Sequence, residues 1–171
     1  MKLEWYKRKP HKDDKAYSDV HMTPQDFAWR VVDHFNPQGR VLEPCAGTGE
    51  GGYISHSAFT DSCEIRAGKD FFDWEGRVDW ILTNPPYSII VQMLEGSLRV
   101  ADNVVFGPVK IDIMSSKKRN RMIRDLGHSL KEVIIIDSLP KPFPQTGFQY
   151  YCFHWQRGWK GDVKWTDWRV N

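Results

Sequence analysis

Apolar and polar positions along this chain change period several times, and each change marks an element. In "HMTPQDFAWRVVDHFNPQG" the apolar side chains recur at helical spacing, with Phe27, Val31 and Phe35 on one face. Thr23 suits the N-cap, Pro24 the first helical position and Asp26 the first turn, and Asn36-Pro37 stops the helix. Short apolar runs then alternate with helical segments. "RVLEP" reads as a strand entering the glycine-rich "CAGTGEGG", with a helix expected from about Tyr53. "DSCEI" reads as a second strand, residues 70–72 as a weak third and "VDWILT" as a fourth. "IIVQMLEGSLRVA" is helical, with Ile90, Leu94 and Leu98 on one stripe. "NVVFGPV" is a fifth strand, "SKKRNRMIRDLG" a basic helix or loop, "EVIIIDSL" a sixth strand and "FQYYCFHW" a seventh. The tail "GWKGDVKWTDWRVN" takes no assignment.

Strands alternating with helices predict an α/β fold built on a seven-stranded, mostly parallel sheet. The turn-rich "PKPFPQTG" between the last two strands is too short for a crossover helix, so the final strand is expected to run antiparallel. Residues 1–19 are polar and mostly basic, a flexible arm on this reading, and residues 20–171 form one domain.

Composition narrows the setting. The 171 residues are one domain's length, and 40% hydrophobic content suffices for one core. A net charge of +2 is too small to indicate a partner, so the distribution of charge matters more. Cys45, Cys63 and Cys152 show no C-x-x-C spacing, which fits reduced thiols in a cytoplasmic compartment. No apolar run approaches the roughly 18 residues of a membrane span, and "MKLEWYKRKPHKDDK" lacks the apolar centre of a secretion signal. The histidines show no ligand spacing, so no metal is expected.

Two segments carry chemistry. In "EPCAGTGEGG" small residues directly after the first strand let a ligand approach the backbone, and Glu64 after the second strand is placed to accept from ribose hydroxyls. Both features suit NAD as well as S-adenosylmethionine. Two observations tilt the choice: the carboxylate of Glu43, at the strand tip, would repel a pyrophosphate and attract a sulfonium with an α-amino group, and hydride transfer has no evident use for the Asn84–Tyr87 segment. Cys45 sits in this loop, where a small residue is needed, rather than where a nucleophile would act.

The second segment is "NPPY". Pro85 and Pro86 lack N–H groups, so the strand ends at Asn84 and leaves a donor-poor shelf. An exocyclic amine on a nucleobase is nearly planar and a poor nucleophile. Two acceptors, the Asn84 side-chain oxygen and the Pro85 carbonyl, would favour the tetrahedral geometry that frees its lone pair. Tyr87 offers a face on which the base can stack.

With these residues in view, the chain resembles the S-adenosylmethionine-dependent amino-methyltransferases of nucleic acids, most closely the N6-adenine DNA methyltransferases. "LEPCAGTG" is similar to their cofactor loop, "NPPY" to their catalytic motif and "HMTPQDF" to the Thr-Pro segment before the loop, in the family's order and over about residues 20–157. The resemblance implies a class I, Rossmann-like methyltransferase fold and methylation of adenine N6 in DNA, on a base flipped out or already unpaired. It implies S-adenosylmethionine held by Thr23, Pro24, Glu43, Pro44, Cys45, Ala46, Gly47, Gly49, Glu64, Ile65, Asp70, Phe71 and Asn84. It implies catalysis on Asn84, Pro85, Pro86 and Tyr87, with Tyr87 and Phe143 against the target base, or Phe148 in place of Phe143. No separate target-recognition domain fits in the chain, so selectivity would be loop-borne, absent or supplied by a protein partner. The basic run contributes Lys110, Lys117, Lys118, Arg119, Arg121 and Arg124 at the catalytic edge, a surface for phosphates on one reading and a solvated helix face on the other. DNA is the favoured partner over RNA. The same chemistry on RNA adenine, cytosine N4 or a glutamine amide, and a catalytically silent nucleic-acid-binding module, are the alternatives.

Overall fold

The computed structural model describes residues 22–47, 51–141, 143 and 147–169. Helix α1 (Gln25–Phe35) precedes strands β1 (Val41–Glu43), β2 (Asp61–Ser62) and β3 (Val78–Thr83). Helix α2 (Ile90–Val100), strand β4 (Ala101–Lys110), helix α3 (Lys117–Asp125) and strands β5 (His128–Ile136), β6 (Tyr150–Arg157) and β7 (Lys164–Asp167) follow. The seven strands form one sheet in the order β2-β1-β3-β4-β6-β5-β7. All run parallel except β6, which lies antiparallel between β4 and β5, as the short connection requires.

Each strand of the sheet centre feeds two cores, because successive side chains leave on opposite faces. Ile81, Val104, Val133, Phe153 and Trp155 pack under α2 and α3 with Met93, Leu94, Leu98 and Ile123. Their neighbours Leu82, Val105, Ile134 and Cys152 pack under α1 with Phe27, Ala28, Val31 and Val32. Burial on both faces explains why these strands read as continuous apolar runs rather than alternating ones.

Three expectations change. The third strand is absent: Asp70 accepts from the Phe72 N–H and caps a 3₁₀ turn over Phe71–Asp73, whose Phe71 and Phe72 are buried. No helix begins at Tyr53. Gly51 and Gly52 both take positive φ, Ser55 donates to the Gly52 carbonyl, and the chain makes only a 3₁₀ turn over Tyr53–Ser55. The sheet regains its seventh strand from the unassigned tail, as β7 pairs parallel with β5. Glu132 of β5 fastens it, accepting at one oxygen from Thr166 at 2.6 Å, Lys164 at 3.0 Å and His34 of α1 at 2.8 Å.

Because β2 and β3 flank β1, the connections leaving β1 and β3 diverge across the same sheet edge, the place where open α/β sheets bind ligands. That edge carries both motifs.

Candidate active site

Glu43 ends β1 with its side chain turned inward, 2% exposed, and its carboxylate accepts from the Cys45 N–H at 2.9 Å. Burial pushes this carboxyl up to about 8, and the charge of Glu64 acts in the same direction. The chain turns through Pro44, Cys45 and Ala46, and the Ala46 N–H is fixed to the Cys63 carbonyl. Gly47 has φ +66°, a left-handed conformation that favours glycine, and a Cβ there would stand 2.9 Å from the Met22 sulfur, which would have to move. Gly49 lies outside the described residues. Burial and the adjacent Glu43 raise the Cys45 thiol far above its ordinary range, so it stays protonated at neutral pH.

Past β2, Glu64 accepts from the Arg66 N–H and caps the turn Ile65–Ala67, where Ile65 is exposed. Asp70, half-buried, lines a cavity of about 680 Å³ with Arg40, Asp61, Cys63, Lys69 and Trp74, beside the edge strand β2; Glu43, Gly47, Glu64 and Asn84 do not line it. Phe71 is 3% exposed and belongs to the core, so its side chain is not presented to a ligand.

After β3 comes the shelf. Asn84 donates its side-chain amide to the Thr23 hydroxyl at 3.1 Å, which turns the amide's nitrogen end toward the start of α1. Thr23 does not act as the expected helix cap. Pro24 occupies the N-cap position without a side-chain bond, and the Thr23 hydroxyl orients Asn84 instead. Pro86 gives its carbonyl to the Ile89 N–H, whereas the carbonyl of the buried Pro85 accepts no hydrogen bond among the described residues. Tyr87 donates its hydroxyl to the Pro108 carbonyl at 2.7 Å, which fixes its ring to β4.

The anchor for Tyr87 is an irregular stretch of β4. The Gly107-Pro108 peptide is cis, and the register with β6 shifts between Phe106 and Val109. Gly107 is required there, because a Cβ would meet the Cys152 sulfur at 2.3 Å. Its carbonyl accepts from the buried Tyr53 hydroxyl at 2.9 Å. Tyr53 and Pro108 thus complete the frame around the shelf, and neither was singled out for the site. A proline inside a strand pattern is the one signal that marked β4 as irregular.

The aromatic beyond β5 needs correction. Phe143 is 6% exposed and packs edge-on to Phe27 at 6.4 Å, inside the core under α1. Phe148 is 63% exposed, with the Lys110 ammonium 4.0 Å from its ring centroid at the end of β4. The basic run is the helix α3, N-capped by Ser116, with Lys117, Lys118, Arg121 and Arg124 exposed and Arg119 half-buried. Among the described residues none of these cations forms an ion pair. The helix starts at the carboxyl edge of the sheet and runs back across it, so Lys117 and Lys118 lie nearest the shelf.

No family model and no curated protein sequence matches this chain. Solved structures do. A Listeria monocytogenes protein assigned to the class I S-adenosylmethionine-dependent methyltransferases aligns with a TM-score of 0.64 at 10% identity, over 87% of this chain and 66% of its own. A Pyrococcus horikoshii protein assigned as an RNA methyltransferase aligns at 0.57 and 14% identity, over 91% of this chain and 95% of its own. The chain has the class I methyltransferase fold. The M protein of the type I restriction enzyme EcoKI aligns at 0.58 and 13% identity over 80% of this chain, which spans only 44% of that protein. In this methyltransferase fold the glycine loop after β1 and the shelf after β3 are neighbours at one edge, while β7 is added beyond β5. Among the described residues no helix is long and apolar enough to cross a membrane.

Proposed function

We propose that this chain methylates the exocyclic amino group of a nucleic-acid base, with adenine N6 in DNA as the first substrate and S-adenosylmethionine as the cofactor. The observation that carries the reading is the Asn84 amide, held by Thr23 at the end of β3 and followed by Pro85, Pro86 and the anchored Tyr87.

The residues present fit the cofactor. Glu43 provides a buried carboxyl, protonated in the chain alone, that a bound ammonium or sulfonium would favour in its ionised form; Gly47 provides a left-handed bend, and Glu64 and Asp70 provide carboxylates for ribose and adenine, Asp70 at the cavity beside β2. Thr23, Pro24 and the Pro44–Ala46 turn wall this side. When bound, S-adenosylmethionine supplies an electrophilic methyl group. The chain's own residues prepare the acceptor. Asn84 and the Pro85 carbonyl each accept one N–H of the amine and draw its nitrogen toward tetrahedral geometry. Prolines at 85 and 86 keep competing donors away from that nitrogen. Tyr87, fixed at its hydroxyl, keeps its ring in place as a wall for the base, and the exposed Phe148 is the better second wall than Phe143. Alignment and polarisation together account for the rate, with no covalent intermediate on Cys45.

A nucleic-acid substrate is supported by the unneutralised cations of α3 beginning at the catalytic edge, and by neighbours that include a restriction-enzyme M protein and an assigned RNA methyltransferase. The test is transfer of tritium from labelled S-adenosylmethionine to DNA, RNA and protein in parallel, followed by nucleoside analysis. The expected product is N6-methyladenine in DNA. Label found in protein alone, or in no substrate by a chain that binds the cofactor, contradicts the reading.

A further inference from the structure

Strand β4 runs past the shelf. Thr83 pairs with Phe106, so the chain leaves β3 at Asn84 beside Gly107, while β4 continues to Lys110. Two aromatic rings are fastened to this overhang. Tyr87 donates its hydroxyl to the Pro108 carbonyl and packs with the core under α2. Phe148 meets the Lys110 ammonium, 4.0 Å from its ring centroid. Lys110 stands opposite Tyr150 in register, so both side chains leave the same face of the sheet, that of α1, where Tyr150 packs. The overhang of β4 thus holds one ring from each face, with the sheet edge between them.

The two anchors are unlike. A hydrogen bond of 2.7 Å fixes Tyr87, whose side chain is half-buried. Phe148 is 63% exposed and precedes the first residue of β6, so burial does not fix its ring. Among the described residues the Lys110 ammonium meets this ring and no carboxylate. An exposed ring that has to receive a flat base loses rotamer freedom on doing so, and a cation held against one face takes part of that loss in advance. The ammonium covers that face and does not compete for the other.

We propose that Lys110 is a positioning residue: its ammonium holds the Phe148 ring at the catalytic edge, where the ring stacks on the target base opposite Tyr87, and it does not serve as a phosphate contact. The proposal rests on the nucleic-acid reading above but is tested without methyl transfer. A single-stranded oligonucleotide in which one 5-iodouracil is flanked by abasic sugars offers the site one base, and that base has no exocyclic amine. On irradiation, 5-iodouracil cross-links to an aromatic side chain stacked against it.

The experiment cross-links this oligonucleotide to the full chain, maps the labelled peptides and measures binding at several salt concentrations. Parental protein should be labelled in the peptides that contain Tyr87 and Phe148. Lys110→Met keeps the aliphatic stem and loses the charge. It should cut the Phe148 label about two- to fivefold, the scale of a cation–π contact at an exposed site, and leave the Tyr87 label in place. Lys110→Arg should restore the label, because a guanidinium also stacks on an aromatic face. Each variant should keep the parental melting temperature. The salt dependence of binding should be the same in Lys110→Met as in the parental chain, whereas loss of a phosphate contact would lower its slope by about one.

Parental labelling of Phe148 in Lys110→Met overturns the proposal. So does a salt slope lowered by about one phosphate in Lys110→Met with the Phe148 label intact, or a parental chain in which Phe148 takes no label. Loss of the Phe148 label on Lys110→Met in a chain that methylates nothing would sustain the positioning role and sink the catalytic reading. Methylation of adenine by a chain whose Phe148 is never labelled would do the reverse.

Discussion

Glu43 keeps its proton because the tip of β1 is dry, and that has a sign in the pH dependence of stability. Its folded pKa of about 8 lies above the ordinary 4.5, so between these values the folded chain holds a proton that the unfolded chain has released. Stability from this group is therefore full below about pH 4.5, declines as pH rises and is lost above about 8. The slope approaches 1.4 kcal/mol per pH unit. Denaturant unfolding across that range should show the decline in the parental chain and its disappearance in Glu43→Gln. A parental slope retained by Glu43→Gln would mean that another group titrates. At the same scale, Thr23 shows how far single residues can be read. A threonine before proline and an apolar helix satisfies every local rule for a cap. Its hydroxyl is instead bonded to Asn84, 61 positions later, a partner no local rule contains.

At the level of elements, long apolar strands and amphipathic helices were legible because their period is written in consecutive residues. β3, β4, β5, α1, α2 and α3 all stand close to where their patterns put them. The departures have a common cause: short-range bonds or distant partners outweighed propensity. Asp70 turned an expected strand into a 3₁₀ turn through a bond to a backbone two residues on. β7 is four residues long, and it exists through pairing with β5 and the Glu132 cluster, which have no signature in "KWTD". Arg157 ties elements together at the opposite edge. Its guanidinium donates to Asp102 and to the carbonyls of Leu98, Ala101 and Leu126, so it closes the ends of α2 and α3 against β6. Arg157→Ala should lower unfolding stability by about 2–3 kcal/mol, seen as a reduced denaturant midpoint at unchanged slope. Arg157→Lys should recover only part of it, since one ammonium cannot span four acceptors. An unchanged midpoint in Arg157→Ala would remove this tie from the account.

Across the whole molecule, the connections leaving β1, β3 and β4 converge on one edge, and the cations of α3 begin there. The candidate site was legible where a motif is contiguous, as in "NPPY" and the glycine loop. It was not legible where the fold assembles it, as in the bonds from Tyr53 and Tyr87 to the carbonyls of Gly107 and Pro108. The aromatic beyond β5 belongs to the second kind, since the sequence put Phe143 first with Phe148 in reserve, and burial of Phe143 against exposure of Phe148 reverses that order. All of this arrangement serves one claim, that the Asn84 amide and the Pro85 carbonyl grip an amino nitrogen facing the glycine loop. The most direct measurement compares methyl transfer to DNA by the parental chain and by Asn84→Ala, with cofactor affinity followed in parallel. Transfer should fall by at least about 100-fold while the affinity changes only a few-fold. Transfer by Asn84→Ala at the parental rate would contradict the account.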